Sequence, residues 1–257
     1  MPEASSNRII ALCGKGGVGK TAISTAIIKI LSANPQKTVL AIDADPAVGL
    51  SSALGITVHQ TVDGIRNELI RRVKAGEPQN KMEVLSRLDY EMFAALEERQ
   101  NLALLAIGRP ENVGCYCQVN HMLKDIIVSM AGRFDYVVID GEAGIEQVNR
   151  RVMETVTHLL LISDGSKKGI AVAKTIHEVA DRAVSYEKAG LVLNRLHSGH
   201  EFERLCIPPS LPCLGWIPED QTIREADMAG NSLLETADGK AVAALRQCLL
   251  AAGITFA

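Results

Sequence analysis

Apolar residues follow two patterns along the chain. Short continuous runs such as Arg8-Ile9-Ile10-Ala11-Leu12-Cys13 and Thr38-Val39-Leu40-Ala41-Ile42 read as strands buried on both faces, because no alternation marks a solvent side. Further runs of this kind occupy Leu102–Ile107, Tyr136–Ile139, His158–Ile162, Gly190–Leu193 and Cys213–Ile217. Between them, apolar residues recur every three or four positions. Thr21–Leu31 predicts a helix. Val119, Met122, Leu123, Ile126, Ile127 and Met130 predict another that begins close to Cys117, and Val172, Ala173, Ile176, Val179, Ala180 and Ala183 predict a third over Gly169–Val184. His177 in the third is expected to be exposed or capped. Buried strands alternating with amphipathic helices predict an α/β fold, a mostly parallel sheet flanked by helices and joined by right-handed crossovers. The stretch Thr57–Arg99 has helical character but no chemical motif.

The first strand runs into Gly14-Lys15-Gly16-Gly17-Val18-Gly19-Lys20-Thr21, which fits G-x-x-x-x-G-K-[ST] and opens a helix. In such a loop the glycines let successive backbone N–H groups turn inward on phosphates. Lys20 reaches the outer phosphates, the Thr21 hydroxyl reaches Mg²⁺, and the helix N-terminus adds a positive dipole end. Gly14 through Thr21, with Ala22 in the first helical turn, are the candidate phosphate-binding residues. In open parallel sheets ligands gather at the carboxyl ends of strands, and carboxylates stand at those ends here. Asp43 and Asp45 follow the second strand in Asp43-Ala44-Asp45-Pro46. Tyr136-Val137-Val138-Ile139-Asp140 has the Walker B form, with Glu142 just beyond, and Asp164 after a third strand reads as a helix cap.

The loop, with a lysine directly after its first glycine, resembles the deviant Walker A motif K-G-G-x-G-K-[ST] of the dimeric ATPases of the MinD and nitrogenase iron-protein class. That resemblance implies a P-loop NTPase fold for ATP and Mg²⁺, and a homodimer in which Lys15 crosses to the nucleotide of the partner subunit. It implies that Asp45 orients or deprotonates the attacking water, and that Asp43 lies near the metal that Thr21 and Asp140 serve. Leu191-Val192-Leu193-Asn194-Arg195 resembles the segment that places an asparagine against adenine, and Leu214–Asp220 the segment that brings Pro218 near the base.

The 257 residues contain no Pro- or Ser-rich linker, so residues 1–257 are expected to form one domain. With 27 Lys plus Arg against 30 Asp plus Glu, the net charge of −3 gives no electrostatic case for nucleic acid. No apolar run approaches the about 20 residues of a membrane span, and Met1–Asn7 lacks a charged region followed by an apolar one, so no membrane association and a cytoplasmic location are expected. The six cysteines are too few for a disulfide scaffold. Cys13, Cys206, Cys213 and Cys248 read as core or helix-packing cysteines, which leaves Cys115 and Cys117 as the close pair.

A helix that begins close to Cys117 favours thiolate there, the form that binds a soft metal ion. Two sulfurs make a poor closed site, whereas a two-fold axis through the loop would supply the four that a tetrahedral or square-planar centre needs. His121 could add a nitrogen or be surface polar. The pair, together with Asp140-Gly141-Glu142-Ala143-Gly144, resembles the CooC-type nickel-insertion ATPases. That resemblance implies Ni²⁺ as cargo and carbon monoxide dehydrogenase or acetyl-CoA synthase as recipient. Zn²⁺ or an iron–sulfur cluster at the same cysteines is the alternative. The nitrogenase iron protein, however, has a second cluster cysteine seven residues after the Walker B aspartate, where this chain has Gln147. A MinD-like spatial organiser needs an amphipathic C-terminal membrane helix, and Gly239–Ala252 lacks the basic face of one.

Overall fold

The computed structural model describes residues 7–76, 81–109, 117–141, 152 and 154–256. Strand β1 (Arg8–Gly14) sits inside an eight-stranded sheet with β2 (Val39–Asp43), β3 (Glu97–Arg99), β4 (Leu102–Ala106), β5 (Tyr136–Asp140), β6 (His158–Ser163), β7 (Lys188–Leu196) and β8 (Cys213–Pro218). The spatial order is β3-β4-β2-β5-β1-β6-β7-β8, and all neighbours are parallel except β3 and β4. After β1 the chain builds one half of the sheet through β2, β4 and β5. It then returns to the other side of β1 through β6, so the order reverses beside β1, the place where open α/β sheets bind ligands.

The helices are α1 (Lys20–Ser32), α2 (Gly49–Leu54), α3 (Val62–Lys74), α4 (Lys81–Ala94), α5 (Cys117–Ala131), α6 (Lys167–Ala183), α7 (Gly199–Glu203), α8 (Gln221–Ala229) and α9 (Lys240–Ala251). They divide into two layers because successive strand residues point to opposite faces. Ala11 and Cys13 of β1 join one apolar core with Ile65 of α3, Met92 of α4, Ile127 of α5 and Ala173 of α6. Ile10 and Leu12 join the other, with Ile27 of α1, Leu50 of α2 and Leu249 of α9. Every strand residue of β2, β4, β5 and β6 is buried, which is why those strands read as continuous apolar runs. The apolar side of α9 packs within this second core. No helix of the described residues is long and apolar enough to cross a membrane.

The architecture agrees with the α/β expectation, and four local expectations are corrected. Glu97–Arg99 forms a short antiparallel edge strand, β3, within a stretch read as helical; it pairs with β4 through the backbone, while the Glu97 and Arg99 side chains engage His59 and Glu235. Strand β7 extends beyond Gly190–Leu193 to Lys188–Leu196, because pairing with β6 and β8 continues past the apolar run. Cys206 and Cys213 are exposed, unlike buried Cys13 and Cys248, since Cys206 lies in the loop after α7 and Cys213 opens the edge strand β8. His177 is neither exposed nor at a cap. Its side chain is 16% exposed and meets the Tyr186 hydroxyl at 3.3 Å.

Candidate nucleotide site

The loop between β1 and α1 follows from where its glycines stand. Gly19 has φ +89°, and a Cβ there would lie 2.6 Å from Asn194 Nδ2, so only glycine permits this turn. A Cβ on Gly14 would fall on the Ile162 carbonyl, where β1 and β6 run side by side. Lys20 begins α1 and is buried, and its Nζ donates to the carbonyls of Gly14 at 3.1 Å and Lys15 at 3.3 Å. The loop thus folds around its own lysine. Lys15 is half-buried, and its side chain does not line the cleft described below.

Behind the loop lie two buried carboxylates. Asp43 and Asp140 end β2 and β5 and face each other in register. Thr21 Oγ1 donates to Asp140 Oδ2 at 2.7 Å, and Ser24 Oγ donates to Asp140 Oδ1 at 2.9 Å. Ser24 was not among the residues expected from sequence; its signal is its place one turn after Thr21 on the same helix face. Asp43 accepts backbone N–H bonds from Asp45 at 3.2 Å and Leu50 at 2.9 Å, so its two oxygens hold the turn before α2. Burial, then the neighbouring Asp140 charge, pushes Asp43 up to about 7. Burial also raises Asp140, opposed by the Thr21 and Ser24 hydroxyls and by Lys20. Cys13, on β1 beneath the loop, is pushed up to about 12 by burial, an inert thiol of the core.

Asp45 stands in front of this pair, half-buried, with Oδ1 accepting from Ala47 N at 2.8 Å. Opposite, Asn194 Nδ2 donates to the Val18 carbonyl at 2.8 Å and Arg195 Nη1 to the Gly17 carbonyl at 3.2 Å. Both residues therefore brace the loop from β7. Arg195 does so from a left-handed backbone, φ +61°. A cleft of about 990 Å³ runs from Gly16, Lys20 and Thr21 past Asp45 to Asn194 and Pro218, and Ala22 and Arg195 also line it. That is the size of a small-molecule site.

The donor chemistry suits a magnesium nucleotide. Asp43 and Asp140 outnumber the buried cation Lys20, and the hard oxygens of Thr21 and Asp140 match Mg²⁺ preference. Asp164 accepts from Ser166 N at 3.1 Å, while Ser166 itself caps α6. Cys117 is the first residue of α5, as the apolar stripe predicts. Cys115, Glu142 and Gln147 lie outside the described residues. His121 is on the surface beside Asp125, 3.6 Å away. Among the described residues no three His, Cys, Asp or Glu side chains converge to hold a metal ion.

Residues 9–233 match the family model for the CobQ/CobB/MinD/ParA nucleotide binding domain. The chain is 39% identical over 225 residues to an uncharacterized ATP-binding protein of Methanocaldococcus jannaschii, covering 86% of this chain and 88% of that one. It is also 29% identical over 247 residues to the carbon monoxide dehydrogenase accessory protein CooC of Rhodospirillum rubrum, covering 87% and 88%. Among solved structures, the septum site-determining protein MinD of Pyrococcus horikoshii, complexed with Mg-ADP, superposes with a TM-score of 0.62 at 22% identity over 94% of each chain. Strand order, loop, buried carboxylates and family match agree, and the chain belongs to the CobQ/CobB/MinD/ParA nucleotide-binding family, with the fold of the MinD/ParA-type P-loop NTPases.

Proposed function

We propose that the whole chain acts as one Mg²⁺-dependent ATPase domain that dimerises around nucleotide and delivers nickel. The observation that carries the ATPase reading is the convergence of Thr21 and Ser24 on buried Asp140, next to Lys20, at the base of the cleft. Gly14 to Ala22 hold the phosphates of ATP through backbone N–H groups, and Lys20 turns from the Gly14 and Lys15 carbonyls to the outer phosphates. Thr21 and Asp140 hold Mg²⁺, with Asp43 fixing the turn beside it; the ion, when bound, offsets charge on the β- and γ-phosphates. Asp45 takes the proton of the attacking water as the γ-phosphorus bond to the bridging oxygen breaks, leaving ADP and phosphate. Asn194, Arg195 and Pro218, which line the far end of the cleft, face the base. Lys15 reaches the nucleotide of the second protomer.

Nickel is the cargo, carried by Cys115 and Cys117 of two protomers and given to carbon monoxide dehydrogenase or acetyl-CoA synthase. The C-x-C pair of the sequence, whose second cysteine, Cys117, opens α5, supports this reading. So does the similarity to the Rhodospirillum rubrum accessory protein. ATP binding sets the dimer geometry and so the metal site, and hydrolysis resets it. Anaerobic titration followed by thiolate-to-metal charge-transfer absorption should give one nickel per two chains. Cys115→Ser and Cys117→Ser should each abolish tight binding and leave ATP affinity intact. One ion per chain, or full binding by Cys115→Ser, would overturn the shared site.

A further inference from the structure

Strand β7 interrupts its pairing with β8 at one residue beside the cleft. Asn194 pairs with Ile217 and Leu196 with the next residue, Pro218, so Arg195 is an extra residue in a bulge. Its backbone is left-handed, φ +61°, a region that a residue with a Cβ occupies at a cost. Asn194 and Leu196 on either side are buried, and Arg195 is exposed. Bulges beside functional sites re-aim a side chain, and this one sends the guanidinium over the phosphate loop. Arg195 Nη1 donates to the Gly17 carbonyl at 3.2 Å, and a Cβ on Gly19 would lie 3.5 Å from Nη2. The residue thus starts at the base end of the cleft, and the tip of its side chain lies where phosphates are held.

The acids that line the cleft do not neutralise this cation. Glu219 meets His197 at 3.4 Å and Arg224 at 3.9 Å. Asp220 accepts from the backbone N–H groups of Thr222 and Ala241, and Asp45 from that of Ala47. Among the described residues no carboxylate pairs with Arg195, Asp227 of α8 included. Its partner is a neutral carbonyl, as the partners of Lys20 are, so both side chains rest on carbonyls of the same loop. A guanidinium keeps its charge and grips phosphate oxygens through two parallel N–H bonds, which a carbonyl cannot match. A strained backbone maintained only to brace Gly17 would gain little, whereas a second cation at the phosphates gives the bulge a use.

We infer that Arg195 binds phosphate: with nucleotide in the cleft, its guanidinium leaves the Gly17 carbonyl for the phosphate oxygens and joins Lys20 as a second cation from the same chain. This inference rests on the ATPase reading and deepens it. The full chain and Arg195→Gln, Arg195→Lys and Arg195→Gly are titrated with ATP and, in competition, with inorganic tripolyphosphate, which has the phosphates and no base. Arg195→Gln should weaken both ligands at least ten-fold, the worth of a hydrogen bond to a charged group. Arg195→Lys should recover part of the loss, since the charge stays and the fork goes. Arg195→Gly should bind as weakly as Arg195→Gln yet unfold in urea no earlier than the parent, because glycine takes φ +61° without strain. Parent-like affinity for both ligands in Arg195→Gln overturns the inference. A loss for ATP alone also overturns it and assigns the side chain to the base. So does earlier unfolding of Arg195→Gly with no recovery in Arg195→Lys, which makes Arg195 a brace of the loop. Should Arg195→Gln not fold, Arg195→Gly decides by the same two affinities. A parent chain that binds neither ligand brings down the ATPase reading itself, and this inference with it.

Discussion

In the function proposed above, Asp45 and Lys20 divide the work on ATP between water and phosphate. Asp45 sits at the cleft, half-buried, with one oxygen engaged by Ala47 N, while Lys20 is folded into the loop. Asp45→Asn should keep ATP affinity within about three-fold and lose most hydrolysis, whereas Lys20→Ala should weaken binding itself; hydrolysis by Asp45→Asn at the parent rate would remove Asp45 from its role. Ser24 calls for a different measurement. Its hydroxyl is one of two donors on a buried carboxylate, and hydrogen bonds to charged groups are worth about 1.5–3 kcal/mol. Ser24→Ala should raise the Mg²⁺ concentration for half-maximal nucleotide binding roughly ten-fold, read by fluorescent ADP titration. An unchanged Mg²⁺ requirement would show that Thr21 alone orients Asp140.

Individual elements owe their limits to polar caps as much as to apolar faces. Helix α6 starts at Lys167, two residues before the apolar stripe suggests, because Ser166 Oγ accepts from Gly169 N at 2.9 Å and Asp164 accepts from Ser166 N. Ser166→Ala should cost about 1 kcal/mol in urea unfolding, the usual worth of an N-cap; no change would mean that Asp164 takes over the cap. The stripes of α5 and α6 were legible because a helix buries one face, and both stripes lie in or against the same core. Strand β3 was not legible. An edge strand of three residues uses backbone pairing, which leaves no apolar signature in Glu97-Glu98-Arg99.

At the scale of the whole molecule, one group far from the cleft should tie stability to pH. His158 opens β6, 1% exposed, with Nδ1 2.8 Å from Thr157 Oγ1. Burial, and then the Arg8 charge, holds it below the ordinary histidine value of 6.5, so the folded protein resists a proton that the unfolded chain accepts. Its contribution to stability is complete above about 6.5 and is lost as pH falls below that value and through the lower one of the folded state. Denaturant unfolding at pH 7.5 and 5.5 should show a smaller acid loss in His158→Gln than in the parent; equal losses would place the pH dependence elsewhere.

Local order in the chain was enough for the parallel sheet, the phosphate loop and the carboxylates at strand ends, because each depends on neighbours within one strand–loop–helix unit. Parallel strands buried on both faces leave continuous apolar runs, and a loop that wraps phosphate needs its glycines and lysine at set intervals. Relations across distant segments could not be read this way. That Ser24 would share Asp140 with Thr21, and that Asn194 and Arg195 would brace the loop carbonyls, depends on strands and helices far apart in the chain lying side by side. The same holds for Cys206 and Cys213, whose composition says core and whose places, in a loop and on an edge strand, leave them exposed. Burial and hydrogen-bond partners are set by packing between elements, and a one-dimensional pattern records only which residues could be buried, not what covers them.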